Sequence, residues 1–458
     1  MSNSKRKNQE LILHGNLFQA VLALAIPVVI NSLLQAMYNI TDTYWLGKIG
    51  TNELAAINLI TPLQNTIISF GTGITVAGSV LIAQYIGAGK REDAKSMANQ
   101  IFLCAMAFAL VCSAVCFLAT PAILTWMGAD GDTFQLSKTY MQIVIWDMVF
   151  LYMVNIFSAI HQAQGDTVKP MLLNLAGILL NMVLDPLLMI TLDMGIAGAA
   201  WATLLAKVIP AVIAFCMLIS GKKEIALDTK YMRFQADKVQ LILRIGLPTA
   251  IGGSTMQLGF LIMSKNVYVY GNQAMAAYGI GNKVNGIISM TSDAIGSAVA
   301  TIVGQNIGAR QLKRAEKGYW ISMVLSVVIL ITGGMIFSRD AVATAIVSIF
   351  SDDPEVIAMA ADFLSIMAFW CFLNGIYNST RGLFQGAGHT EVSMIIDITR
   401  LWVFRFATIW VCENILHMGV RSIWYSVVVS NGISTTIFFL LYLSKVWKKP
   451  KIMAGDRN

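Results

Sequence analysis

Two aspartates sit where an apolar helix has little use for charge. Asp42 falls inside the apolar stretch 16–46 and Asp185 inside 168–190. An ionised side chain at the centre of a membrane helix costs about 2.5–3.5 kcal/mol on insertion scales, so such a residue usually serves an ion path or has a partner. Gln35, Tyr38 and Asp42 are three and four residues apart, which puts them on one helix face. Asn174, Asn181 and Asp185, at i, i+7 and i+11, share a second face. Thr203 follows Gly198-Ala199-Ala200, a small-residue run that lets a neighbouring helix approach closely. Two carboxylates, an amide and two hydroxyls at one depth can ligate a small monovalent cation, with Na⁺ held by Asp42, Asn181, Asp185 and Thr203. Alternatively, one acid carries a proton, because burial and a like charge both disfavour its ionised form. The residues after Asp42, Thr43–Gly47, read as a turn. Gln35, Asn155, Asn174, Met256, Asn374 and Asn378 are candidates for the wall of a substrate cavity, and 25 methionines suit an adaptable one.

These side chains need helices of membrane length to hold them, and the composition supplies them. Of 458 residues, 56% are hydrophobic and only 12% charged, against about 25% charged in soluble domains. Twelve apolar stretches recur, at 16–46, 52–86, 93–120, 134–164, 168–190, 195–219, 236–270, 272–308, 314–338, 355–386, 391–415 and 419–446. Each is long enough to cross a hydrocarbon core of ~30 Å. The expected fold is an all-α polytopic membrane protein with twelve transmembrane helices and no appended soluble domain. Lys5, Arg6 and Lys7 precede a run too long for a cleavable signal. The net charge of +7 could suggest nucleic acid, but most of the 32 lysines and arginines, among them Lys90, Arg91, Lys222, Lys223, Arg310, Lys313, Lys448 and Lys449, alternate with acidic loops carrying Asp130, Asp132, Asp352 and Asp353. That is the positive-inside pattern, and it predicts a multi-pass protein of the inner (plasma) membrane with both termini cytoplasmic. The lipid bilayer, not nucleic acid, is the implied partner. Six cysteines without CxxC or Cys/His spacing read as small core residues.

The chain is duplicated. Ile82-Ala83-Gln84-Tyr85-Ile86-Gly87-Ala88 returns as Val303-Gly304-Gln305-Asn306-Ile307-Gly308-Ala309, a shift of 221 from Gln84 to Gln305 that also takes Pro27 to Pro248. Six helices per copy give parallel repeats, which pack around a pseudo-two-fold axis along the membrane normal and often use their interface as the substrate path. The expected division is residues 1–220, a cytoplasmic linker at 221–238, and residues 239–458. Both Gln motifs end in Gly-Ala before a basic turn and read as helix stops. The copies differ in charge. Met263 and Phe406–Thr408 stand in the second where the first has Asp42 and Asp185. The second instead offers a charge network of Lys265, Asp293, Asp397, Arg400 and Arg405, with Lys283 and Arg381 nearby. Asp397 and Arg400, three apart, can neutralise each other. Arg405 lies deeper and needs a partner or water. In the first copy, Asp147 and Lys207 either pair or line the same cavity.

No GxxxxGK[ST], HExxH or GxSxG occurs, and the four histidines are scattered. These absences leave an intramembrane enzyme with nothing but an Asp pair to support it, and no cofactor is called for beyond a coupling ion, Na⁺ or H⁺.

Taken together, Pro27…Gln35…Tyr38-Asn39-Ile40-Thr41-Asp42-Thr43-Tyr44-Trp45-Leu46-Gly47, Gln84…Gly87-Ala88-Gly89, Gln164-Gly165-Asp166-Thr167 and Asn181…Asp185-Pro186 resemble the multidrug and toxic compound extrusion (MATE) family over essentially the whole chain. Within it the chain is similar to the DinF-like branch and its MepA-type bacterial exporters. The resemblance implies two six-helix lobes in a V around a central cavity. It implies a monomer that exports cationic or amphipathic compounds against inward Na⁺ or H⁺ flow. That branch's site falls here on Tyr38, Asp42, Asn181, Asp185 and Thr203. The NorM-like branch uses carboxylates on helices 7 and 10, where this chain has Lys265 and the uncharged Asn374 and Asn378, so coupling is expected in the first lobe. A flippase for lipid-linked substrates, with a cationic cavity, is the related alternative.

Overall fold

The computed structural model describes residues 2–49, 51–220 and 225–449. Lys222 and Lys223, expected in the basic linker, lie outside the described residues. In chain order the helices are α1 (Ser2–Leu13), α2 (Leu17–Ile49), α3 (Thr51–Gly87), α4 (Arg91–Trp126), α5 (Gly131–Val144), α6 (Asp147–Ala163), α7 (Val168–Pro186) and α8 (Gly195–Ser220). They continue with α9 (Ala236–Tyr268), α10 (Asn272–Gly308), α11 (Leu312–Phe337), α12 (Asp340–Val347), α13 (Pro354–Trp370), α14 (Phe372–Gly386), α15 (Thr390–Ile398), α16 (Phe406–Asn414) and α17 (Arg421–Leu443). No strand occurs among the described residues, as expected where no water reaches a backbone that must satisfy its own hydrogen bonds.

Nine helices among the described residues are long and apolar enough to span a bilayer, and the pairs α5–α6 and α13–α14, bent by 41° and 52°, bring the number to eleven. A further helical run, Thr390–Asn414, is interrupted by π-helix at Thr399–Arg405, and α7 passes into π-helix at Leu187–Thr191. On α4, Val111, Val115 and Leu118 are exposed at spacings of four and three, a stripe fit to face lipid. The turn expected at Thr43–Gly47 is absent, because α2 runs through to Ile49. Continuing the helix satisfies backbone groups that a turn would leave open in hydrocarbon.

The chain forms two compact units: residues 1–9 with 30–250, and residues 10–29 with 251–458. These units and the duplicated halves are different partitions. Besides one changeover within α1 after Gln9, two fall within α2 after Val29 and within α9 after Ala250, again 221 residues apart and just beyond Pro27 and Pro248. Proline removes an intrahelical hydrogen bond and loosens the helix there. One helix can then serve both units.

Lipid is as apolar as leucine, so close backbone approach and polar contacts, not hydrophobicity, hold helices together within each unit. In the first unit a Cβ on Gly73 would lie 2.3 Å from the carbonyl oxygen of Gly246, which fixes α3 against the start of α9. In the second, a Cβ on Gly382 would lie 2.2 Å from the carbonyl oxygen of Gly296, which sets α14 against α10. The linker is fastened rather than free. Gln100 donates from Nε2 to the carbonyls of Tyr231 (3.2 Å) and Arg233 (2.7 Å) and accepts at Oε1 from the Gln235 amide (2.9 Å). Asn99 Oδ1 accepts from the Asp228 amide at 3.1 Å, and Lys238 Nζ reaches Ser96 Oγ at 2.6 Å.

Candidate functional site

Asp185 occupies the last turn of α7, just before Pro186 and the π-helical stretch, and is fully buried. One turn earlier Asn181, also buried, donates from Nδ2 to Asp185 Oδ1 at 3.0 Å. The other oxygens of the pair, Asp185 Oδ2 and Asn181 Oδ1, are buried and accept no hydrogen bond among the described residues. An unsatisfied buried acceptor typically costs about 1–3 kcal/mol, more when charged. Two of them side by side make a place that a cation or a proton would complete. The small-residue run of α8 does what its spacing suggests: a Cβ on Gly198 would meet the Leu188 carbonyl at 2.6 Å, so α8 rests on the π-helical stretch itself. That contact brings Thr203, five residues on and 7% exposed, to the Tyr38 hydroxyl of α2.

Gln35, Tyr38, Asn174, Asn181, Thr203 and Lys207 line a pocket of about 90 Å³ whose remaining wall is apolar and includes Ile178 and Pro210. Asn174 is held there by Nδ2 donating to Asn31 Oδ1 at 3.0 Å. Asp42 is half-buried beyond this wall, close enough to interact electrostatically with Asp185 and Lys207. Lys207 forms an ion pair with the buried Asp147 at the start of α6. Of three acids in this neighbourhood, Asp147 is thus neutralised by a lysine and Asp42 and Asp185 remain. Tyr140 of α5, buried, lies in the field of all three acids and of Tyr38. The sequence pattern did not single it out. A tyrosine on an amphipathic stretch carries no local sign of where its hydroxyl ends.

The sequence-derived candidates do not all gather here. Asn155 is half-buried on α6 and does not line the pocket. Met256, Asn374 and Asn378 belong to the second unit. Of the expected second-half charge network, Asp293, Asp397, Arg400 and Arg405 are linked through Arg381 and Arg400 by their fields, with direct pairing among the described residues only at Asp397. Asp397, 2% exposed, accepts from the Tyr377 hydroxyl and pairs with Arg381 Nη2 at 3.4 Å and Arg400 Nη2 at 3.6 Å. Asp293 accepts from Asn378 Nδ2 at 2.7 Å. Arg405 bonds only to neutral groups, and Lys265 is exposed with no carboxylate within 4 Å among the described residues. Lys265 therefore stands outside the network. It lies at a similar depth along its helix, but depth does not determine the direction in which a side chain points.

The MatE family profile matches residues 27–187 and 248–411, two copies offset by 221 at their starts. A probable multidrug resistance protein, NorM, of Thermotoga maritima is 26% identical over 95% of this chain and 94% of its own length. The probable multidrug resistance protein YoeA of Bacillus subtilis is 24% identical over 93% of each chain. The multidrug export protein MepA of Staphylococcus haemolyticus is 23% identical over 84% of this chain and 85% of its own. Among solved structures, a MATE protein in complex with MaL6 superposes with a TM-score of 0.90 at 24% identity, covering 96% of this chain and 98% of that one. An outward-facing MATE transporter of the MOP superfamily gives 0.89 at 24% identity, covering 95% and 97%. The chain belongs to the MatE family of multidrug and toxic compound extrusion transporters.

Proposed function

We propose that this protein is a secondary antiporter of the inner membrane that exports cationic or amphipathic compounds, driven by inward flow of Na⁺ or H⁺ through residues 1–220. The observation that carries the reading is the buried pair of open acceptors, Asp185 Oδ2 and Asn181 Oδ1, beside a second acid, Asp42. A dehydrated Na⁺ would be ligated by Asp185, Asn181, Thr203 and Asp42, whereas a proton would sit on one of the two carboxylates. Either ion removes negative charge next to a pocket lined by Tyr38, Asn181, Thr203 and Lys207, so it weakens the hold on a cationic compound there. The ion and the compound then favour different states, as coupling requires; equal affinity of either for both states would couple nothing. Both termini and the linker face the cytoplasm in this reading, following the charge pattern of the loops.

The experiment is dye efflux from proteoliposomes under an imposed Na⁺ gradient and, separately, an imposed pH gradient. Wild-type protein should respond to at least one, and Asp185→Asn should abolish the response while the dye still binds. Efflux by Asp185→Asn that still follows the ion gradient at the wild-type rate refutes the coupling site.

A further inference from the structure

Arg405 is 4% exposed at the end of the π-helical stretch, inside the second unit. A guanidinium keeps its charge in proteins and carries five N–H donors. Among the described residues only two donations are made: Nε to Ser430 Oγ at 3.2 Å and Nη2 to Asn431 Oδ1 at 3.3 Å. Both acceptors are neutral, and among the described residues no carboxylate lies within 4 Å. Asp397 is committed to Tyr377, Arg381 and Arg400, and Asp293, exposed and bonded by Asn378, faces Arg381 and Arg400 rather than Arg405. Arg400 is itself held over the Tyr377 ring at 4.3 Å and adds a second positive charge to the field at Arg405. Among the described residues of this unit Asp397 is the buried carboxylate, and Arg381 and Arg400 share it, which leaves Arg405 without one. A buried charge left without its partner destabilises a fold by about 3–5 kcal/mol.

We propose that Arg405, with Ser430 and Asn431, binds the oxyanion head, carboxylate or phosphate, of an amphipathic molecule within the second unit. The guanidinium fork matches two oxygens of one head, which a point charge cannot do. A polar ladder leads from it towards accessible space. Asn431 Nδ2 donates to Asn374 Oδ1 at 3.4 Å, Asn374 Nδ2 to Ser289 Oγ at 3.4 Å, and Asn431, Asn374 and Ser289 are all half-buried. Leu401 and Ile409, one turn to either side of Arg405, belong to a buried apolar cluster with Met263, Tyr278 and Trp424. That packing keeps water from the guanidinium, so its charge is little screened and acts strongly on an anion that reaches it. This inference does not depend on the ion-coupling reading and concerns different residues.

The test is calorimetric titration of the full-length protein in a neutral maltoside detergent with laurate and, separately, dodecyl phosphate, using dodecyltrimethylammonium as the cationic control. At least one anion should bind saturably, one per chain, and the two arms tell a carboxylate head from a phosphate head. Arg405→Gln should lose the binding. Because that variant can also fail to fold, Asn431→Asp provides an independent arm. It places a carboxylate beside the guanidinium in place of the ligand, and should weaken anion binding about tenfold or more while raising the melting temperature of the ligand-free protein. Absence of saturable binding of either anion to wild type, or equal binding by wild type and Asn431→Asp, overturns the proposal.

Discussion

Asp147 and Asp185 show how one residue type takes opposite roles at similar burial. Asp147 is paired with Lys207, whereas Asp185 keeps one oxygen open next to an open amide oxygen. Removing one half of a buried ion pair strands the other charge, at a cost of about 3–5 kcal/mol, while removing both halves together is far milder. Asp147→Asn should therefore lower the melting temperature of the purified protein markedly, and the double change Asp147→Asn with Lys207→Met should recover most of the loss. Additive losses in the double variant would show that the pair is not coupled. Asp185→Asn should behave differently, with stability unchanged or increased and coupling lost, because it removes a buried charge that has no cationic partner within 4 Å among the described residues and only an amide donor, Asn181. Asp42→Asn should also lower gradient-driven efflux, because an acid held within the membrane by default serves an ion path. An efflux assay in which only Asp185→Asn has an effect would assign the ion to that residue alone.

At the scale of elements, the duplication reaches the backbone torsions. Gly89 ends the turn after α3 with φ +73, and 221 residues later Arg310 occupies the same left-handed position with φ +59. Glycine visits that region freely, whereas a side-chain-bearing residue pays about 1–2 kcal/mol. Arg310 is exposed, so Arg310→Gly should raise stability by up to about 1 kcal/mol in thermal unfolding, and Gly89→Ala should lower it by a similar amount. The reverse order would mean that Arg310 makes compensating contacts. Gln100 is the clamp of the linker, and Gln100→Ala removes three hydrogen bonds to residues that are half-buried or exposed, a net loss of about 0.5–1.5 kcal/mol each at most, since water can replace the amide. Trypsin should then cut faster after Lys230 or Arg233. An unchanged cleavage rate would show that the other fastenings, at Asn99 and Ser96, suffice. The helices themselves, the stops after Gly87 and Gly308, and the small-residue approach at Gly198 were legible from local pattern. The continuation of α2 past Asp42 was not, because the residues Thr43–Gly47 favour a turn in water but not in hydrocarbon.

For the whole molecule, the loop charges predict which ends face inward. In a cysteine-free background, Lys313→Cys should react with a membrane-impermeant thiol reagent only after permeabilisation, and Asp352→Cys should react in intact cells; both positions are exposed. The opposite labelling pattern would invert the orientation and with it the direction of coupled flow. What the sequence alone determined is the class of protein: apolar length, charge alternation and repeat spacing are properties of the chain read locally, and each translates directly into helices, spans and copies. Only the tertiary structure decided which charges are spent and which are open. Asp147 is captured by a lysine 60 residues away, and Asp397 by Arg381 and the Tyr377 hydroxyl, while among the described residues Asp185 keeps an acceptor free and Arg405 keeps donors free. Such outcomes depend on how helices distant in sequence pack. Within a low-dielectric interior, a partner a few ångströms nearer determines whether a charge is structural or available to a ligand.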